Sequence, residues 1–96
     1  MSLDQITSQM KQRVQPGALD ATVKFDFGDD GKIFIDGNAG TVTNEDSDAD
    51  CTIAMTMDNF QSLVAGDLDP TTAFMMGKLK VKGNMGVAMK LQSILG

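Results

Sequence analysis

Apolar residues open the chain at Leu3, Ile6, Met10 and Val14, the three-and-four spacing that places one stripe on a helix. Ser2 followed three residues later by Gln5 supplies a capping box at its start, and Pro16-Gly17 stops it. Over residues 20–28 the period changes to two, with Val23, Phe25 and Phe27 on one side and Thr22, Lys24 and Asp26 on the other, the mark of a half-buried strand. Asp29-Asp30-Gly31 predicts a hairpin turn. A second strand then returns over residues 32–36 with Ile33 and Ile35 inward, and Phe34 on the other side implies that both faces of the hairpin are partly covered. A turn at Gly37-Asn38-Ala39-Gly40 leads to a short third strand at Thr41-Val42-Thr43.

Residues 51–56, Cys-Thr-Ile-Ala-Met-Thr, are apolar and β-branched enough for a central strand. Thr56 or Asp58 caps a short helix in which Phe60, Leu63 and Val64 share a face, and Gly66 ends it. Asp69-Pro70 starts another helix with proline at an early position; Phe74, Met75 and Met76 follow before Gly77 breaks it. Residues 78–83 alternate again, Leu79 and Val81 inward and Lys78, Lys80 and Lys82 outward, a pattern that guards an exposed sheet edge or docks an anionic head group. Gly83-Asn84 introduces a last helix over residues 85–95. Val87, Leu91, Ile94 and Leu95 form its apolar face, Met85, Ala88 and Met89 widen it, and only Lys90, Gln92 and Ser93 are clearly polar. A helix apolar nearly all round must be buried or must cover something apolar.

The order is one helix, three strands, a fourth strand, two short helices, a fifth strand and a final helix. This predicts an α+β fold, one mostly antiparallel mixed sheet covered by helices, with a crossover possible between the fourth and fifth strands because helices intervene there. Ninety-six residues are enough for one domain, taken as 1–96, with a single modest core. Phe60, Leu63, Phe74, Met75, Met76, Val81, Met85, Met89, Leu91 and Ile94 would converge between sheet and helices. They either fill that space or enclose an apolar cavity, and periodicity alone does not separate the two. If a cavity is enclosed, about 0.8 kcal/mol per methylene gives a sixteen-carbon chain roughly 13 kcal/mol of gross burial, before ordering costs.

Composition narrows the chemistry. A net charge of −5 and 5% aromatic residues, with no Tyr or Trp, argue against nucleic acid, which calls for a basic footprint and stacking platforms. The absence of histidine removes the usual general base and metal ligand, so no catalytic residue, metal site or cofactor is expected. Asp46, Asp48 and Asp50 suggest a calcium loop, but Cys51 and Met57 stand where glycine and glutamate are required. Gly77-Lys78 lacks the glycine spacing and the hydroxyl residue of a phosphate loop. Cys51, without a basic neighbour in sequence, reads as a small buried hydrophobe. A single cysteine and no signal or membrane-spanning segment point to the cytoplasm. Six of the eight methionines lie between Met55 and Met89; methionine fills irregular gaps and suits surfaces that adapt to varied partners.

The run GDLDPTTAFMMGKLKVKGNMGVAMKLQSIL, residues 66–95, resembles the C-terminal half of the type-2 sterol carrier protein domain, the nonspecific lipid-transfer family. GKLKVKGN at 77–84, followed at once by the apolar helix, carries most of the likeness; residues 50–56 before Phe60, the spacing from Gly66 to Pro70 and the Ile35-Asp36-Gly37 turn fit the same pattern. The resemblance implies a five-stranded mixed sheet with a hydrophobic tunnel beneath its helices and a terminal helix acting as a lid. It also implies a fatty acid, fatty acyl-CoA or sterol-like ligand held without covalent chemistry. Phe60, Leu63, Phe74, Met75, Val81, Met85, Met89, Leu91 and Ile94 become candidate tunnel lining, and Lys78 and Lys80 candidate head-group contacts. The chain ends Ile94-Leu95-Gly96, without the peroxisomal tripeptide of many eukaryotic relatives and without a fused thiolase or dehydrogenase module, which favours an acyl chain over a sterol. A monomer with transient membrane contact is expected; the competing expectation is an accessory module whose apolar terminal helix docks a partner protein or a second copy.

Overall fold

The computed structural model describes residues 2–17 and 19–95, apart from the side chains of residues 92–95. Helix α1 (Leu3–Arg13) precedes strand β1 (Thr22–Asp26), a 3-10 turn (Gly28–Asp30), β2 (Lys32–Asp36), β3 (Thr41–Thr43) and β4 (Cys51–Met55). Helices α2 (Met57–Ala65) and α3 (Pro70–Met75), strand β5 (Leu79–Gly83) and helix α4 (Met85–Leu95) follow. The expected capping box is present: Ser2 Oγ accepts from Gln5 N at 3.2 Å and Gln5 Oε1 accepts from Ser2 N at 2.9 Å. Thr56 caps α2 by accepting from Asn59 N at 3.1 Å, and Asp69 caps α3 by accepting from Thr71 N at 2.8 Å with Pro70 at the first helical position.

The five strands form one mixed sheet in the order β3-β2-β1-β4-β5, antiparallel except for the parallel β1–β4 pair. The expected α+β architecture is therefore present, but the crossover is elsewhere. β4 and β5 are antiparallel neighbours although α2 and α3 stand between them, because the two helices go out and back to the same end of the sheet. The parallel step joins β1 to β4, where the chain has passed through β2 and β3 and returned to the free side of β1. Reciprocal hydrogen bonds pin its start: Asp50 Oδ2 accepts from Thr22 N at 3.0 Å, and Asp50 N donates to Thr22 Oγ1 at 2.9 Å.

Register sets the layers, since directly paired residues share a face. Val42, Ile35, Val23 and Cys51 form one row, and Ile33, Phe25, Ile53 and Val81 the next. Apart from half-buried Val81 these are buried, and the helices cover this face with Ile6 and Met10 of α1, Phe60 and Leu63 of α2, and Val87 and Leu91 of α4. On the opposite face Thr22, Lys24, Phe34, Thr52 and Ala54 are half-buried. The acidic loop after β3 reaches this face, where Lys24 Nζ meets Asp46 Oδ1 at 2.8 Å. That hydrogen bond raises the pKa of Lys24 and lowers that of Asp46, so the acidic run serves as a strap on the outer face.

Candidate functional site

A cavity of about 230 Å³ lies between one end of the sheet and helices α2, α3 and α4. Phe25 of β1, Ile53 and Met55 of β4, and Leu79 and Val81 of β5 form its floor. Its walls are Leu63 of α2, Pro70, Thr71 and Phe74 of α3, and Met85, Ala88, Met89 and Leu91 of α4. Phe74, Met85 and Met89 are exposed large hydrophobics, so they form the rim of a mouth that opens to solvent. Among the described residues, no charged side chain belongs to the lining, and Thr71 is its polar member.

The local sequence explains how α4 comes to form one wall. Gly83 has φ of +102° and pairs with Cys51, and any side chain there would run into the carbonyl of Asp50. Asn84 N then donates to that same carbonyl at 3.0 Å, while Asn84 Oδ1 accepts from Gly86 N at 2.9 Å and Val87 N at 3.4 Å. Glycine supplies the backbone conformation and asparagine satisfies the first amides of the helix. The Gly-Asn pair thus turns the chain sharply from the edge strand back over the sheet. Positions 85, 88 and 89, spaced three and four apart, face the cavity.

Six of the residues singled out by sequence, Leu63, Phe74, Val81, Met85, Met89 and Leu91, come together around the cavity. Phe60 and Met75 stand apart from it. Phe60 is fully buried, its ring edge-on to Phe25 at 4.8 Å and to Phe27 at 5.2 Å; it packs behind Phe25, whose ring lines the cavity in its place. Met75 is 80% exposed, because α3 has only six residues and its cavity-facing positions are already taken by Pro70, Thr71 and Phe74. The side chain of Ile94 lies outside the described residues. Lys80 pairs with Ala54 between the inward pairs Val81–Ile53 and Leu79–Met55, so it faces the opposite side of the sheet. Lys78 is exposed ahead of β5 and is not part of the lining. Neither lysine meets a group inside the cavity.

Phe25, Ile53, Met55, Leu79, Pro70, Thr71 and Ala88 also belong to the lining and were not singled out. The strand residues among them are inward by alternation, but their meeting under α4 follows from the β1–β4–β5 pairing. Cys51 is fully buried and burial pushes its thiol pKa up, the reverse of an activated nucleophile. Among the described residues, no helix is long and apolar enough to cross a membrane.

Comparison with known proteins places this architecture. Residues 3–96 match the SCP-2 sterol transfer family. Human sterol carrier protein 2 is 48% identical over 58 residues, which is 60% of this chain and 11% of that protein, so the chain spans about a tenth of that relative's length. The apo structure of sterol carrier protein 2 from Yarrowia lipolytica is 31% identical, with a TM-score of 0.70 over 95% of this chain and 77% of that one. The solution structure of Aedes aegypti sterol carrier protein 2 in complex with palmitate shares the fold at 20% identity, with a TM-score of 0.81 over 100% of this chain and 97% of that one. The family match over nearly the whole length, together with the five-stranded sheet and its helical cover, makes this chain a member of the SCP-2 sterol transfer family.

Proposed function

We propose that residues 1–96 act as one lipid-binding and lipid-transfer unit that holds the hydrocarbon part of a fatty acid, fatty acyl-CoA or related lipid without covalent chemistry. The observation that carries this reading is the cavity itself, apolar apart from Thr71 and lined by no charged group among the described residues. A carboxylate or phosphate would lose its water there without a partner, so the ligand's head group stays at the mouth and its chain goes in.

The volume favours a narrow ligand. At about 230 Å³ the cavity lies just below the usual ligand-pocket range of about 300–1,000 Å³, which suits a flexible chain better than a rigid fused-ring sterol. At roughly 30 Å³ for each water-sized group it takes about eight methylenes, worth about 6 kcal/mol of gross burial. The palmitate bound by the Aedes aegypti relative names the ligand class to try first. A lone, buried thiol suits a reducing compartment such as the cytoplasm.

The test is native mass spectrometry with solvent extraction of the purified protein, followed by titration with saturated fatty acids from eight to sixteen carbons. One chain per protein is expected, with affinity rising over the shorter lengths and flattening once about eight methylenes are buried. An empty protein that takes up none of these chains would overturn the reading.

A further inference from the structure

Three of the five phenylalanines meet in one cluster. The rings of Phe25 and Phe27 are stacked at 6.4 Å, and Phe60 of α2 stands edge-on to them at 4.8 Å and 5.2 Å. This cluster lies at the inner limit of the cavity. The mouth is framed by Phe74, Met85 and Met89, and the floor runs from the edge strand β5 through β4 to β1, where Phe25 is the one lining residue among the described residues. A second space begins on the far side of Phe60. It is a groove of about 280 Å³ between α1 and α2, with the buried Ile6 and Phe60 at its base and Gln9, Arg13 and Gln61 around it. Beside it Arg13 Nη2 donates to the carbonyl of Val64 at 3.2 Å, which ties the end of α1 to α2. Two rings in contact, Phe25 and Phe60, thus stand between the cavity and the groove.

We propose that Phe60 sets the length of chain the cavity accepts, by holding the Phe25 ring in place as its inner wall. The inference rests on the lipid-carrier reading and assigns a specificity-determining position within it. Phe60 is outside the lining, so it acts through Phe25 as a positioning residue. A Phe25 ring swinging away from the cavity would run into the Phe60 ring, and an edge-to-face contact in a close-packed interior favours the arrangement that is seen. A chain entering at the mouth therefore stops at Phe25, after about eight methylenes at roughly 30 Å³ each. Shortening residue 60 removes the support. It frees the room of about three carbons with leucine there and about six with alanine, which the surroundings refill only in part. Phe25 can then give way before a longer chain, and with alanine the freed room also opens towards the groove.

The test is displacement of a fluorescent fatty acid by saturated acids of eight to sixteen carbons, run on the parent, F60L, F60A and I35A, with thermal unfolding on each sample. Ile35 is fully buried but borders neither the cavity nor the groove, so I35A loosens the core without touching either. In the parent, affinity should level off once about eight methylenes are buried. Each further methylene taken in is worth about fourfold before ordering costs. The plateau should therefore move out by about two to three carbons in F60L, which should hold the sixteen-carbon acid at least fivefold tighter than the parent does. F60A should move it further. The eight-carbon acid should bind all four proteins within about threefold, and I35A should keep the parent's plateau. F60L, the milder change, carries the test if F60A melts below the assay temperature. A folded F60L with the parent's plateau, or an I35A plateau shifted as far as that of F60L, would overturn the proposal and leave the carrier reading standing. A parent that takes up no chain of any length would overturn both.

Discussion

Replacing Ala88 by Phe tests the cavity most directly. Ala88 is half-buried on α4 and belongs to the lining. The substitution adds six ring carbons at roughly 30 Å³ per methylene-sized group, about 180 Å³ in all, against an available volume of about 230 Å³. Fewer than two methylenes then fit. A bound chain loses about six buried methylenes, or about 5 kcal/mol of gross transfer energy. Part of that is offset because the chain no longer needs to be ordered. The net loss should still exceed about 2.7 kcal/mol, a hundredfold. Displacement of a fluorescent fatty acid reads the affinity, and thermal unfolding on the same sample reads the packing. Stability should hold or rise, since a filled cavity gains contacts its lining lacks. If A88F melts at or above the parent and still binds within threefold, the chain does not occupy this cavity and the reasoning fails.

Two further outcomes follow from named contacts. Gly83→Ala should destabilise the fold by about 1–3 kcal/mol in urea, because residue 83 sits at φ +102° against the Asp50 carbonyl; a midpoint like that of the parent would show that the turn into α4 is not held this tightly. Burial raises the Cys51 pKa above its ordinary 9.0, so the unfolded thiol ionises first as pH rises. Its contribution to stability is complete below about pH 9 and is lost as the pH climbs through the folded pKa. The urea midpoint should therefore fall more steeply from pH 7 to pH 10 in the parent than in C51A, and equal slopes would remove the thiol from the account.

The parts of this fold that local chemistry specifies were legible in the sequence. Ser2 with Gln5, Asp69 with Pro70, and the alternation of Val23 and Phe25 each name an element through groups only a few residues apart. The cavity floor was not legible in that way. Phe25, Ile53 and Val81 lie in one row only because β1 pairs with β4, a parallel contact between segments with no turn chemistry to announce it. Phe60 and Leu63 share a face of α2, yet one goes behind Phe25 and the other to the cavity, a distinction set by where the helix crosses the sheet. Met75 follows Phe74 in a helix too short to bury both. Lys80 is different, since the alternation that turns Leu79 and Val81 inward already turns Lys80 away. Only the side of the sheet on which the cavity lies was missing.

The composition of α4 now has a physical explanation. Val87 and Leu91, four residues apart, are 7% and 1% exposed and fasten one stripe of the helix to β4 and β5. Asn84 fastens its start. Met85, Ala88 and Met89 form a neighbouring stripe that turns to the cavity and its mouth, which is why an amphipathic pattern is absent. A helix serving only as a cap would carry charge on that second stripe, since exposing apolar surface forfeits about 25 cal/mol for each Å² left in water. That cost persists in the free protein at Met85 and Met89. It would be relieved by an acyl chain in the cavity that covers them. A charged residue in place of Met89 should therefore weaken binding of such a chain, read by displacement of a fluorescent fatty acid.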